Sequence, residues 1–448
     1  MAQDFKQLPS DVAARPGRAR RVTLHALETA PLNWGRAEAQ VQRLIREEPS
    51  LRSTERRFVA DATWAILRRY DSWRRLGQVV CEGEEVSALL LYYLYLVVER
   101  DLSPDVAAHH LREAGIAVEP AGWRQAWREL LDQSTAPEQQ ALAFGVPLWL
   151  VARLEASWGE QTPDLLAALN QRAPVDFRVN IAAVDRETIR EQLSRQGITT
   201  VPTPYSPWGL RLEGHANVRG LPSLRTGALD LQDEGSQLIV RLAAVEPGQD
   251  VADVCAGGGG KSVALAPLLG KKGRLVGMDA DPQRLRAARE RMAKLTFHYH
   301  EELILSKNPA EARQQLEPWA TGFDRVLVDA PCSGTGAWRR HPAARWLLTE
   351  EFLAELVDTQ AALLDLAATL VRPGRRLVYA TCSVLAEENE QQVEAFLRRQ
   401  SGFQLVPAAA VLGEGGAALT DVGGRYLSLA PHRQGTDGFF GAVLERMD

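Results

Sequence analysis

A chain of 448 residues is longer than one hydrophobic core usually sustains, and a prior of ~150 residues per domain suggests about three domains. Its 45% hydrophobic and 24% charged residues are ordinary for a globular protein, and a net charge of -5 excludes a uniformly basic nucleic-acid coat while leaving room for local basic patches. The four cysteines, Cys81, Cys255, Cys332 and Cys382, have neither paired nor zinc-type spacing, which argues against a disulfide scaffold or a metal site and fits a reducing cytosol.

The start of the chain, Met1 to Ser10, is polar and lacks the apolar centre of a signal peptide. From about residue 16 to 138 the pattern is helical, with apolar residues such as Phe58, Ala62 and Ile66 at three- and four-residue spacings. The most apolar stretch, residues 88–98 between Glu84, Glu85 and Glu99, Arg100, falls short of the ~20 residues of a membrane span and reads as a buried helix. A soluble, cytoplasmic protein without a membrane partner is expected. Arginines decorate this region at 15, 18, 20, 21, 52, 56, 57, 68, 69, 74 and 75. Any one of them is best read as part of a solvated helix face, yet as a set they suggest an RNA-facing surface.

Residues 147–171 continue helical, 177–180 read as a strand and 186–196 as a helix, and 201–212 and 228–231 alternate like strands. A helix start follows at residues 233–237. Beyond it, apolar strands at 250–254, 274–278, 302–305, 325–328 and 376–380 alternate with helices such as 283–295 and 351–370. That rhythm predicts a parallel, doubly wound sheet. The expected organisation is an all-α domain over residues 1–145, a small α/β module over 146–227 and a Rossmann-like α/β domain over 228–448.

Three motifs in the last domain carry chemistry. Cys255, Ala256, Gly257, Gly258, Gly259, Gly260 and Lys261 form a glycine loop between a strand and a helix, where main-chain N–H groups can approach a ligand. Asp279, at the end of the next strand, stands where an acid takes ribose hydroxyls. A phosphate-binding ATPase loop would need glycine where Cys255 stands, so an adenosine cofactor is preferred. Asp329-Ala330-Pro331-Cys332 and Thr381-Cys382 place two thiols at the carboxyl ends of two further strands, and Ser333 to Gly336 read as a flexible polar loop. A buried cysteine is more often a small core residue, but two at such rims are hard to assign to packing. A thiolate adding to carbon 6 of a pyrimidine activates carbon 5, so the combination suggests methyl transfer from S-adenosyl-L-methionine to a base through a cysteine adduct. Asp329 could bond the ring nitrogen and amine of cytosine. Cys255 is expected to pack, Cys81 has no assigned role, and the basic-aromatic run from Trp338 to His341 suits contact with RNA.

Together these motifs resemble the Nop/Sun family of RNA cytosine carbon-5 methyltransferases. The likeness extends to Arg178-Val179-Asn180, to residues 231–237, to Glu387-Glu388-Asn389-Glu390 and to the tail from Pro431 to Phe440. The arginine-rich N-terminus is similar to the NusB-like RNA-binding domain, which points to the branch acting on 16S ribosomal RNA. The resemblance implies that Cys382 is the nucleophile and that Cys332 assists product release. It also implies that the glycine loop, Asp279 and Asp329 hold the cofactor; no metal or obligate protein partner is implied. Two departures stand out: Gly257-Gly258 replaces the family's alanine and proline, predicting a more flexible loop, and Asn308 stands in for an aspartate on the adenine side. A transfer RNA substrate, or a catalytically weakened ribosome-assembly factor, remains an alternative.

Overall fold

From Ala88 to Glu99 the chain is apolar on every side, and a helix of that kind must be surrounded. The computed structural model describes residues 9–81, 85–214, 216–218, 220–295, 297 and 300–448. In it, Leu90 to Val97 are all buried at the centre of an all-helical unit. The polar tips are satisfied there: the Tyr92 and Tyr93 hydroxyls donate to the carbonyls of Ala13 and Ala14 at 2.8 and 2.6 Å. Residues 1–8 of the expected polar terminus, and Glu84, lie outside the described residues. Among the described residues, no helix is long and apolar enough to cross a membrane.

The arginines of this unit divide by task. The Arg56 guanidinium donates to the carbonyls of Ile45, Glu48 and Leu51 and so closes the end of the helix Ala37–Glu47. Arg20 bonds the Ala14 carbonyl and Tyr93, while Arg69 pairs with Glu99 and lies 4.7 Å from the Trp73 ring. Arg15, Arg18, Arg74 and Arg75 are exposed. Several members of the set expected to face RNA thus hold helices together instead.

The helical unit reaches Asn170 and also includes the distant segment Arg340–Leu348. Within it Arg345 is 1% exposed, and its Nη1 donates to the carbonyls of Arg68, Phe144 and Gly145 at 2.9, 3.1 and 3.3 Å. Trp346 Nε1 donates to the Leu67 carbonyl at 2.8 Å. The basic-aromatic run before it is likewise packed: Trp338 is buried, and buried Arg339 pairs with Asp437 at 2.9 Å. Of the expected RNA-contacting run from Trp338 to His341, His341 alone is exposed.

The second unit begins at Gln171. Four short strands, β1 (Asp176–Val179), β2 (Thr200–Pro202), β3 (Gly209–Leu212) and β4 (Leu229–Leu231), form an antiparallel sheet in the order β2-β3-β1-β4. β4 pairs with β1, so this sheet runs past the boundary expected at residue 228. The larger sheet contains β5 (Asp250–Val254), β6 (Arg274–Asp279), β7 (His300–Ile304), β8 (Phe323–Asp329), β9 (Val371–Thr381), β10 (Phe403–Val406), β11 (Leu427–Leu429) and β12 (Phe439–Arg446). Its order is β10-β12-β9-β8-β5-β6-β7, with β11 beside β12.

The five strands from β7 to β9 are parallel, as the strand–helix rhythm predicts. Three strands lie outside the expected set: β12 inserts antiparallel between β9 and β10, and β11 pairs antiparallel with β12. The expected fully parallel sheet is thus corrected to a mixed one. β5 is central, with the chain running outward through β6 and β7 before returning to β8 on its other side. That reversal opens a crevice above the carboxyl ends of β5 and β8.

Candidate active site

The crevice is a cavity of about 940 Å³ in the second unit, lined by the segments that leave β5, β6, β7, β8 and β9. β5, β6 and β8 are largely buried, so the residue that first escapes the sheet at the carboxyl end of each is presented at the rim. Cys255, Ala256, Gly257, Gly258, Gly260, Lys261, Asp279, Asp329, Cys332 and Cys382 all line it. Gly259 and Asn308 do not.

The glycine loop is shaped by backbone angles that side chains resist. Cys255, Gly257 and Gly259 have φ of 67, 56 and 77°. A Cβ on Gly259 would lie 2.9 Å from the Cα of Ala288, so this glycine serves close packing against the helix Pro282–Met292. Burial pushes the Cys255 thiol well above its ordinary pKa, with the charges of Asp279, Asp329 and Asp253 adding to it. That shift favours the neutral thiol. The loop is also less free than its four glycines suggest. Asp279 accepts the Gly257 N–H on one carboxylate oxygen and the Asp281 N–H on the other, each at 2.8 Å. Asp279 therefore builds the turn while lining the cavity, a task its spacing alone did not reveal.

A further strut comes from motifs that otherwise had no physical role. Buried Arg178 donates to Gln232 at 2.8 Å, and Gln232 donates to the Gly260 carbonyl at 3.1 Å. The small sheet thus braces the glycine loop. Nearby, Glu234 accepts the N–H groups of Tyr205 and Ser206 at 2.6 and 2.7 Å, and Asp233 caps the helix Glu234–Leu242.

Lys261 and Asp329 meet across the cavity floor, Nζ to Oδ2, at 2.6 Å. Burial works against the Lys261 charge, but Asp329 outweighs it and holds the pKa above the usual lysine value. Beneath them Asp253 is fully buried; desolvation raises its carboxyl to about 7, against a lowering bond from Ser262 Oγ at 2.5 Å. Its other oxygen, Oδ1, is buried without a hydrogen-bond partner.

Cys332 and Cys382, fifty residues apart in sequence, have their sulfurs 3.4 Å apart. They leave adjacent parallel strands, β8 and β9, at matching heights: Ala330 N–H bonds the Ala380 carbonyl at 2.9 Å. The loop carrying Cys332 is not flexible as expected. Ser333, Thr335 and Gly336 are buried, Ser333 N–H donates to Glu388 at 2.7 Å, and Gly336 N–H donates to the Cys382 carbonyl at 2.9 Å. Glu388, Gln360 and Asn389 were not singled out from the sequence as site residues. Asn389 accepts the Thr381 hydroxyl at 2.6 Å and donates to the Ser383 carbonyl at 3.0 Å, fixing both sides of Cys382. The signal that existed was the acidic run after Thr381-Cys382, whose partners lie too far along the chain for spacing to reveal.

Asn308 caps the helix Pro309–Leu316, accepting from Ala310 N–H at 2.9 Å and Glu311 N–H at 3.4 Å. That carboxamide oxygen is engaged, and the wall after β7 is lined by its neighbours Leu305, Ser306, Lys307 and Pro309. The donors and shape present fit an adenosine-bearing group: main-chain turns at a helix start, an acid at the end of the second strand, and an apolar flank.

The 16S rRNA methyltransferase RsmB/F family model matches residues 240–445, and the RsmF/B-like ferredoxin-like domain model matches 146–219. The chain is 36% identical over 318 residues to ribosomal RNA small subunit methyltransferase B of Erwinia tasmaniensis, covering 70% of this chain and 69% of the relative. It is 33% identical over 325 residues to the protein of that name from Photorhabdus laumondii, covering 72% and 71%. A methyltransferase homologue of Pyrococcus horikoshii of known structure superposes with a TM-score of 0.59 at 25% identity, over 70% of this chain and 100% of the other. With two thiols, the glycine loop and its acids gathered at one rim, the chain belongs to the RsmB/F family of 16S rRNA methyltransferases.

Proposed function

We propose that this chain methylates carbon 5 of a cytosine in 16S ribosomal RNA, using S-adenosyl-L-methionine. The observation that carries this reading is the pair of thiols 3.4 Å apart, opening onto the cavity that the glycine loop lines. When bound, the cofactor supplies an electrophilic methyl group. The main chain of residues 255–260, Asp279 and Lys261 are the groups placed to hold it. Asp329 is placed to orient the cytosine, although Lys261 already takes one of its oxygens.

The Cys382 thiolate adds to carbon 6 of the base, forming a carbon–sulfur bond and moving the ring electrons to carbon 5. Once carbon 5 is methylated, solvent water takes its proton, the electrons of that bond reform the 5,6 double bond, and the carbon–sulfur bond breaks with its electron pair returning to the Cys382 sulfur. Cys332, touching that sulfur, assists this last step. A base must leave its stack to reach the rim, so an unpaired or loop cytosine is the expected target. The helical unit supplies RNA affinity through its exposed arginines and no chemistry.

The two thiols should fail differently. Cys382→Ala should abolish both methyl transfer and adduct, whereas Cys332→Ala should still attack and methylate but accumulate covalently bound to its RNA. Denaturing gels with cofactor and RNA read this directly as a band of reduced mobility. Trapping by Cys382→Ala and not by Cys332→Ala would reverse the roles.

A further inference from the structure

Two thiols in contact pose a question of choice, since either could ionise and attack. The surroundings of the pair are not symmetric. Glu388 is fully buried, and its carboxylate accepts from Ser333 N–H at 2.7 Å, Gln360 Nε2 at 3.0 Å and Ser333 Oγ. Acceptance from three donors is the pattern of an ionised carboxylate, and all three donors are neutral. Its backbone carbonyl takes the Tyr379 hydroxyl at 2.7 Å, so the acid cannot swing away. Gln360 Nε2 also donates to the Pro331 carbonyl at 3.0 Å, which fixes the residue preceding Cys332. Lys261, bonded to Asp329, lines the same cavity as Cys382.

We propose that Glu388 is a positioning residue that selects the nucleophile: it clamps the Cys332 loop through Ser333 and sets a negative charge beside Cys332. Cys332 is thereby kept as the protonated partner, able to donate its S–H to the Cys382 sulfur. The ionisable groups around Cys332 agree. Its thiol is held well above the usual value, first by the hydrogen bond to Cys382, then by burial, then by the charges of Cys382 and Glu388. Tyr379, facing it from β9, is itself raised by burial and by Cys332 and so stays neutral. Asp329 on its own strand is neutralised by Lys261. This inference deepens the proposed function and rests on its assignment of Cys382 as nucleophile.

Alkylation of the full-length protein with iodoacetamide, without RNA or cofactor, tests it independently of methylation. Rates at each cysteine are followed by peptide mass spectrometry between about pH 6 and 10. Cys382 should react faster than Cys332 throughout in the wild type. Glu388→Gln should lower the pH midpoint for Cys332 and narrow the rate ratio about tenfold, the change that one pKa unit produces. Ser333→Ala, which loosens the clamp but keeps the charge, should leave the Cys332 midpoint in place and serves if Glu388→Gln does not fold. Faster reaction of Cys332 in the wild type, an unmoved midpoint in folded Glu388→Gln, or a midpoint shifted by Ser333→Ala would each overturn the proposal. Because no methyl transfer is measured, a chain that failed to methylate cytosine would not mimic any of these results.

Discussion

Asp253, buried in β5 and bonded to Ser262, carries a measurable pH signature. Its folded carboxyl sits at about 7, against roughly 3.9 for an unfolded aspartate, so the folded chain holds a proton that the unfolded chain releases. Stability from this group is therefore greatest below about pH 4, falls as pH rises towards about 7, and stays lost above it. Asp253→Asn should remove that fall. Denaturant midpoints at about pH 5 and pH 8 should show the wild type losing on the order of 1–4 kcal/mol relative to the variant across the interval. The glycine loop offers a second test. Gly258 has open space around its missing Cβ and no positive φ, so Gly258→Ala should stabilise by about 0.4–1 kcal/mol. Gly259→Ala, with φ of 77° and Ala288 in the way, should destabilise by roughly 1–3 kcal/mol in the same urea titration. At this scale the sequence made Cys332, Cys382, Asp279 and Lys261 legible, because each follows a recognisable strand. It hid Glu388, whose meaning depends on Ser333, fifty-five residues away. It misdirected at Asn308, where a capping signal stood at a position also suited to a ligand.

Helices and strands were readable to different degrees for one physical reason. Periodicity reports which face of an element is buried, not which neighbour buries it. The parallel strands β5 to β9 could be placed because each alternates with a helix, whereas the apolar run of β12 gives no sign that it will insert between β9 and β10. The same limit applied to the arginines of the helical unit: Arg56 and Arg74 look alike in sequence, yet one closes a helix and the other faces water. Arg56→Met should therefore destabilise the protein by about 1–3 kcal/mol, since three carbonyls lose a charged donor, with little effect on the salt dependence of RNA binding. Arg74→Glu with Arg75→Glu should do the reverse, lowering the slope of log affinity against log salt by ~0.7 for each phosphate no longer neutralised. Unfolding curves and RNA titrations at several salt concentrations separate the two effects.

For the molecule as a whole, the connectivity crosses the boundary expected at residue 228. β4 completes a sheet with β1, so a fragment beginning at residue 228 would leave β1's partner without its sheet and the glycine loop without the Arg178–Gln232 strut. A fragment starting at Gln171 keeps both. It should bind S-adenosyl-L-methionine in a calorimetric titration, while the one starting at 228 should bind weakly or aggregate. The N-terminal fragment ending at Asn170 has the opposite defect, because it lacks Arg345 and Trp346. Its melting temperature should rise when a synthetic peptide of residues 340–348 is added, and should not rise with a peptide carrying Arg345→Ala.

That segment also has a bearing on the order of events during synthesis. Domains made first ordinarily fold first, as the chain emerges at ~5–20 residues per second. Here the helical unit, though encoded at the beginning, cannot finish until Arg340–Leu348 has appeared, after β5 to β8 have already left the ribosome. Its last piece arrives tens of seconds after its first helix, at the elongation rates just given. The carbonyls of Arg68, Phe144 and Gly145 can take no bond from that guanidinium until then, so the unit encoded first is completed late.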